Sequence, residues 1–181
     1  MGMHGIVFLE LRKFVEQNMG KDGWRNLLKQ TEIEVDHYMP SQTYPDSELY
    51  ALVASACSMT GQPVNAILEA FGKFMVPNLV SVYGAFIDRK WGLIDVLENI
   101  DKTIHNVVRR KNPGALPPAL ETHRIDIDRI EIVYRSERKM CSLGKGLILG
   151  LSELYRQNIS YEEATCMHTG ADACRIRIIV Q

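Results

Sequence analysis

The chain lacks a charge excess, a membrane-length apolar run and a recognisable leader. Its 21 Lys and Arg against 22 Asp and Glu leave a formal net charge of −1. No strong field of either sign draws it to nucleic acid or to an anionic membrane surface. No apolar run reaches the length that spans a bilayer. The start, MGMHGIVFLELRKF, carries charges early and has no long apolar stretch ahead of a small-residue cleavage site, so it does not read as a signal peptide. MGMHGI also lacks the hydroxyl residue of a myristoylation signal, and the expected location is the cytoplasm. Cysteine is scarce, at Cys57, Cys141, Cys166 and Cys174, and a reducing compartment does not favour a disulfide framework. Internal repeats and low-complexity tracts are absent. So are a nucleophile elbow, a P-loop, a dinucleotide fingerprint and a metalloprotease pattern. What remains is an ordinary globular composition, 46% hydrophobic and 24% charged over 181 residues, enough for one domain or a domain with two lobes.

The first part reads as helical. GIVFLELRKFVEQNMG spaces Ile6, Leu9, Phe14 and Met19 among charges and stops at Gly20. KDGWRNLLKQT is a short second helix, and VDHYMPSQTYP a connection rich in turn formers. PDSELYALVASACSMTG starts with Asp46 or Ser47 as N-cap and stops at Gly61. PVNAILEAFGKFMVPNLVSVYG has Pro63 near its start and is expected to break at Pro77. GLIDVLENIDKTIHNVVRRKN places Leu93, Leu97, Ile100, Ile104 and Val107 at helical spacing. Its closing Arg109, Arg110 and Lys111 suit a helix C-terminus. PGALPPAL then reads as a rigid connector. Beyond it come the strands LETHRID, RIEIVYRS and CRIRIIVQ, with the helix SLGKGLILGLSELYRQN between. TGAD marks a turn joining EEATCM to CRIRIIV. The expected fold class is α+β: a mainly helical lobe over 1–112 and a lobe over 113–181 built on an antiparallel sheet.

Two groups of residues carry chemistry. His105 lies on the flank of a helical apolar stripe, one turn after Asp101 and one before Arg109. Alone it is an ordinary half-buried histidine; with a partner feature it is a ligand presented to a metal. IEIVYRSERKM supplies that feature. Side chains two apart share a strand face, so the face of Ile130 and Ile132 continues as Tyr134, Ser136 and Arg138. This is either a strand fraying into solvent or a set of three donors suited to a carboxylate. His4, His37 and His123 form no cluster and read as surface or ordinary packed residues. Trp24 and Trp91 read as core anchors, and Cys57, in LVASACSM, as a buried thiol.

YRSER, a helical histidine some thirty residues upstream and a PP connector between them resemble the H-NOX family. These are haem-nitric oxide/oxygen binding domains related to the sensor domain of soluble guanylate cyclase. MHGIVF, AFGKFMV, LENIDKTIH and GLILGLSELY extend the resemblance over nearly the whole chain. It implies haem b between the lobes, with His105 as the axial ligand of a ferrous iron. It further implies that Tyr134, Ser136 and Arg138 hold the propionates and that Pro118 presses on the ring. Members that hold oxygen stably carry a distal tyrosine at the position of Leu143. Val7, Leu11, Met75, Leu79 and Leu147, the other positions that look distal, are all apolar. The expectation is a sensor that binds nitric oxide and carbon monoxide but excludes O2. It reports through a weakened Fe–His bond and lobe movement. The resemblance implies a bacterial, stand-alone domain that acts on a separate histidine kinase or cyclic-di-GMP enzyme and is not itself an enzyme.

CMHTGADAC with the upstream KMC is similar to the zinc-binding subset of bacterial H-NOX proteins, and three thiolates favour tetrahedral zinc. In that subset the fourth ligand is a histidine shortly before the CMH cysteine. SYEEATC has none, so the resemblance carries over only Cys141, Cys166 and Cys174. The fourth ligand is left among His168, Glu163, Glu162 and a water. The alternative functions are a zinc-thiol redox sensor in which haem is secondary, and a haem-dependent reductase.

Overall fold

The computed structural model describes residues 2–35, 37–112 and 114–181. The chain opens with a short strand, β1 (Gly2–His4), which runs into α1 (Gly5–Met19). There follow α2 (Lys21–Thr31), β2 (Thr43–Pro45), α3 (Asp46–Thr60) and α4 (Val64–Tyr83). β1 pairs antiparallel with β2, His4 opposite Thr43. Part of the expected connection VDHYMPSQTYP is therefore sheet. α3 ends as expected at Gly61, which adopts φ 68° and gives its N–H to the Cys57 carbonyl. Its N-cap is Pro45, so Asp46 stands in the first turn rather than at the cap.

Pro77 does not break α4, which continues through it to Tyr83. A proline removes one hydrogen bond and frees the carbonyl four residues back, that of Lys73. The freed oxygen abuts a neighbouring helix, α7 (Cys141–Leu154). A Cβ built on Gly150 of α7 would lie 2.8 Å from it. A close neighbour with weak donors thus takes the place of the lost bond. The same crossing is tightest at Gly146, where a Cβ would stand 2.0 Å from the Glu69 carbonyl oxygen. Only hydrogen lets the two backbones approach this closely.

The expected helix from Leu93 onward is continuous but not uniform. α5 (Leu93–Asn99) passes into a π-helical turn (Asp101–His105) and then α6 (Asn106–Lys111). The His105 N–H reaches back five residues to the Ile100 carbonyl at 3.1 Å. Such wide turns insert one extra residue and concentrate at functional sites.

β3 (Ala119–Asp126), β4 (Arg129–Arg135), β5 (Ile159–Thr165) and β6 (Cys174–Val180) form an antiparallel sheet in the order β3-β4-β6-β5. Ile132 pairs with Ile176 and Ile130 with Ile178, and all four are buried. The architecture is α+β, as expected. One core gathers α1–α3 with α4 as far as Met75. A second joins Val76 onward to α5, α7 and the sheet. The change in element type falls near residue 112, whereas the two cores divide within α4. Among the described residues no helix is long and apolar enough to cross a membrane.

Candidate functional site

A cavity of ≈ 260 Å³ opens where the two cores meet. Val7 of α1, Met75 and Leu79 of α4, and Leu143 and Leu147 of α7 line it. Ile100, Ile104, His105 and Pro118 contribute to its wall, and Tyr134, Ser136 and Arg138 also line it. Leu11 does not join them. It is 1% exposed in the first core, one turn beyond Val7, so the same helix stripe that faces the cavity at Val7 has already turned into packing. The cavity is therefore apolar with a few polar groups, the usual make-up of a cofactor site.

His105 sits at the end of the π-helical turn, and its ring is tied at Nδ1 to the Asp101 carboxylate at 3.1 Å. Burial pushes the imidazole pKa down, opposed by Asp101 and by the Pro118 carbonyl. The neutral ring is thus the form present at neutral pH. With Nδ1–H donated to Asp101, Nε2 keeps its lone pair, which is what a metal ligand needs. Burial pushes Asp101 up, but hydrogen bonds from Arg109 and His105 outweigh it and hold the carboxyl below its ordinary value. Arg109 donates to Asp101 at 2.8 Å, so the carboxylate is fixed from both sides.

The three donors of YRSER are not on one strand face. β4 ends at Arg135, and only Tyr134 shares the face of Ile130 and Ile132. Ser136 and Arg138 follow in a turn in which the Arg138 N–H donates to Ser136 Oγ at 3.3 Å. The turn folds them back beside Tyr134, whose phenol burial pushes up to about 12, against a hydrogen bond with Ser136. Arg138 Nε lies 2.9 Å from Asp46 in an ion pair only 6% and 12% exposed. The N–H is not aimed at that oxygen, so Nε makes the charge contact without an aligned hydrogen bond. Arg138 also donates to the Gly2 carbonyl at 3.0 Å and to the Leu116 carbonyl. A guanidinium has five N–H groups, so donors remain for an anion in the cavity.

Two polar residues of the cavity escaped the sequence reading, His4 and Tyr83. Burial pushes the Tyr83 phenol up. Only the position of His4 immediately before a helix start hinted at a role.

Behind Tyr134 lies a second constellation. The ligand atoms of Cys141, Glu163, Cys166 and Cys174 all lie within 4.8 Å of one another. Cys166 Sγ stands 3.9 Å from both Cys141 Sγ and Cys174 Sγ. Burial, then the neighbouring Cys174 and Cys166, pushes the Cys141 thiol up to about 12. Burial likewise raises Cys174. Glu163 Oε2 pairs with Lys145 at 2.7 Å, while Oε1 is buried without a hydrogen-bond partner among the described residues. His168 stands outside the group, its Nε2 engaged with the Lys139 carbonyl at 2.7 Å, and Glu162 is outside it too. Cys57 lies away from the cluster and is half-buried against the first core, not fully buried as expected.

A family model described as Haem-NO-binding matches residues 4–163. Soluble guanylate cyclase 89Db of Drosophila melanogaster is 24% identical over 157 residues, which cover 86% of this chain and 23% of that protein. Soluble guanylate cyclase gcy-35 of Caenorhabditis elegans is 28% identical over 117 residues, 59% of this chain and 16% of that protein. The chain thus spans under a quarter of the length of these curated relatives. Among solved structures, an H-NOX protein from S. oneidensis in the Fe(II)NO ligation state superposes with TM-score 0.93 at 28% identity, over 99% of both chains. An H-NOX domain from Shewanella oneidensis in the Fe(II)CO ligation state gives TM-score 0.89 at 28% identity, again over 99% of both. The match over residues 4–163 places the chain in the Haem-NO-binding family, as an H-NOX domain, the sensor rather than catalytic module of haem-based gas sensing.

Proposed function

We propose that this chain is a haem-based sensor of nitric oxide that also takes carbon monoxide, excludes O2 at ordinary concentrations and signals to a separate protein. The observation that carries the reading is the donor set of the cavity. One half-buried, neutral imidazole, tied through Nδ1 to Asp101, meets an apolar slot lined also by Tyr134, Ser136 and Arg138. A haem b group fits that set, because it is an apolar disc with two carboxylates and an iron that takes one nitrogen ligand. When bound, it would supply a ferrous iron able to take up a diatomic gas.

The residues divide that work. His105 holds the iron through Nε2, and Asp101 fixes the ring's tautomer and raises its basicity. Tyr134, Ser136 and Arg138 hold the propionates, and Pro118 bears on the ring. Val7, Met75, Leu79, Leu143 and Leu147 offer no hydrogen to the partial negative charge of bound O2, which nitric oxide does not require. A weakened hold on His105 would release the segment from the π-helical turn through α6. The two cores that meet at the cavity are then free to shift. For the partner we propose a histidine kinase or a cyclic-di-GMP enzyme, as the sequence resemblance implies, and the free thiols suit a cytoplasmic setting.

A second cofactor is supported by the thiol cluster. We propose zinc on Cys141, Cys166 and Cys174, with Glu163 Oε1 as the fourth ligand, since that oxygen is buried and unpartnered while His168 is engaged elsewhere. Oxidation of the same thiols is the alternative input.

The test is spectroscopic. Reduced, haem-loaded protein is titrated anaerobically with nitric oxide and with carbon monoxide, then aerated. The Soret band is expected to shift with both gases and to give no stable oxy form in air. A stable oxy spectrum removes the O2-exclusion reading. Failure to take up one haem per chain removes the haem reading altogether.

A further inference from the structure

His4 closes β1 and caps α1, its Nδ1 accepting the Ile6 N–H at 3.3 Å. A neutral imidazole that accepts at Nδ1 carries its proton on Nε2. Burial pushes the ring's pKa down, opposed by the neighbouring Asn112 side chain, so the neutral form prevails at neutral pH. Nε2 is therefore a hydrogen-bond donor. It is shielded from solvent and has no hydrogen-bond partner among the described residues. The Asn112 side chain stands within hydrogen-bonding reach of the ring but completes no well-formed bond to Nε2, and its own amide donates to the Val108 carbonyl at 3.4 Å.

A buried donor without an acceptor is costly, and native folds rarely keep one unless something else supplies the acceptor. His4 lines the cavity. It shares a strand face with Gly2, two residues earlier. Gly2 belongs to the carboxylate-holding rim: its carbonyl accepts from Arg138 at 3.0 Å, and it bridges to Ala115. The next carbonyl, that of Leu116, also accepts from Arg138. His4 thus stands on the rim that carries Arg138, with one unused N–H.

We propose that His4 is a fourth donor of this rim, its Nε2–H held for a carboxylate of the bound haem. This rests on the reading of the cavity as a haem site. The placement adds a mechanical tie. Asn112 caps α6 through its N–H to the Val108 carbonyl at 2.9 Å. The ring therefore lies between the start of α1 and the end of the helix that follows His105, and a carboxylate bound at Nε2 orders both.

The test uses two proteins and two ligands. Wild type and His4→Asn are each loaded with haem, or with haem whose two carboxylates are methyl esters. Asparagine keeps an acceptor at the cap but not the distant donor. Haem loss to an excess of a scavenging apo-globin is expected to be on the order of tenfold faster in His4→Asn, as for loss of a hydrogen bond to a charged group. With the ester the two proteins are expected to lose the ligand at equal rates. The metal-free, haem-free chains should unfold at the same temperature, and His4→Gln, which returns a donor, should recover most of the retention. In the diamagnetic carbon monoxide complex of wild type, the Nε2 proton of His4 should give a slowly exchanging NMR signal that the ester complex lacks. Equal acceleration with both ligands would show that His4 acts only through the cap and would overturn the proposal. No acceleration with either ligand overturns it as well. A wild type that retains neither ligand overturns the haem reading beneath it.

Discussion

In the cavity, the main polar groups are already held by the protein. His105 is tied to Asp101, Arg138 sits against Asp46 and two carbonyls, and Ser136 folds back on Tyr134. On the other side of Tyr134 the thiols have chiefly one another at 3.9 Å, and one buried carboxylate oxygen has no hydrogen-bond partner among the described residues. The first region is built before any ligand arrives, so filling it costs little reorganisation. In the second, burial and neighbouring sulfurs hold the Cys141 and Cys174 thiols in their protonated form by raising their pKa values. A cation that displaces those protons is what would complete it. Two sites that share a tyrosine thus differ in what they need: one needs a fitting shape, the other needs charge.

Removing the axial imidazole is expected to separate them most sharply. His105→Gly should lose its protein-bound haem, or retain it only with added imidazole, by the Soret band, while zinc content stays unchanged. An unaltered spectrum in that variant would remove His105 from the ligand role. Next is the pre-built character of the rim. Asp46→Ala strands a nearly buried guanidinium and should cost about 3 kcal/mol in denaturant unfolding of the haem-free chain, with a smaller loss once haem is bound. Equal losses would mean that the rim is not waiting for an anion.

The thiol side is probed by metal analysis. Protein prepared without chelator should carry one zinc per chain, and Cys141→Ser or Glu163→Ala should hold it less tightly. Chelated protein offers a pH test of the same idea. The folded Cys141 thiol titrates near 12 against an ordinary 9.0, so above the ordinary value the folded state keeps a proton that the unfolded chain has lost. Stability from this group is full below that range and is lost as pH rises through it. Thermal unfolding should fall between neutral pH and pH 10, and Cys141→Ser should flatten the fall. The smallest effect is expected from Leu143→Tyr, which adds a donor to the apolar wall and should give at most weak O2 binding.

Helix ends at Gly20 and Gly61, the sheet strands and the closing hairpin were legible because each is written locally, in a stop residue or an alternation. The pairing of β1 with β2 was not, since three-residue strands far apart leave no periodic signal. Pro77 misled because its cost is met by α7, seventy residues on. Ser136 and Arg138 were grouped with Tyr134 on the wrong geometry: a turn, not a strand face, brings them together. Leu11 was grouped with the positions that look distal, but one turn beyond Val7 the helix has left the wall for the packing of the first core. Glu163 stood among several candidates until β5 placed its carboxylate beside the sulfurs, and His4 offered only its place before a helix start.

The π-helical turn at Asp101–His105 amounts to one spare residue stored in the turn that ends on the proposed iron ligand. An α-helix advances about 100° per residue, so that spare residue sets the angular phase between α5, packed on the sheet, and α6 beyond. Helices on either side can keep their own contacts while the phase between them changes. A single deletion among Lys102–Ile104 would leave an unbroken helix with the correct composition and point the imidazole elsewhere. Chain length over these five residues, more than their identity, is what aims the ring.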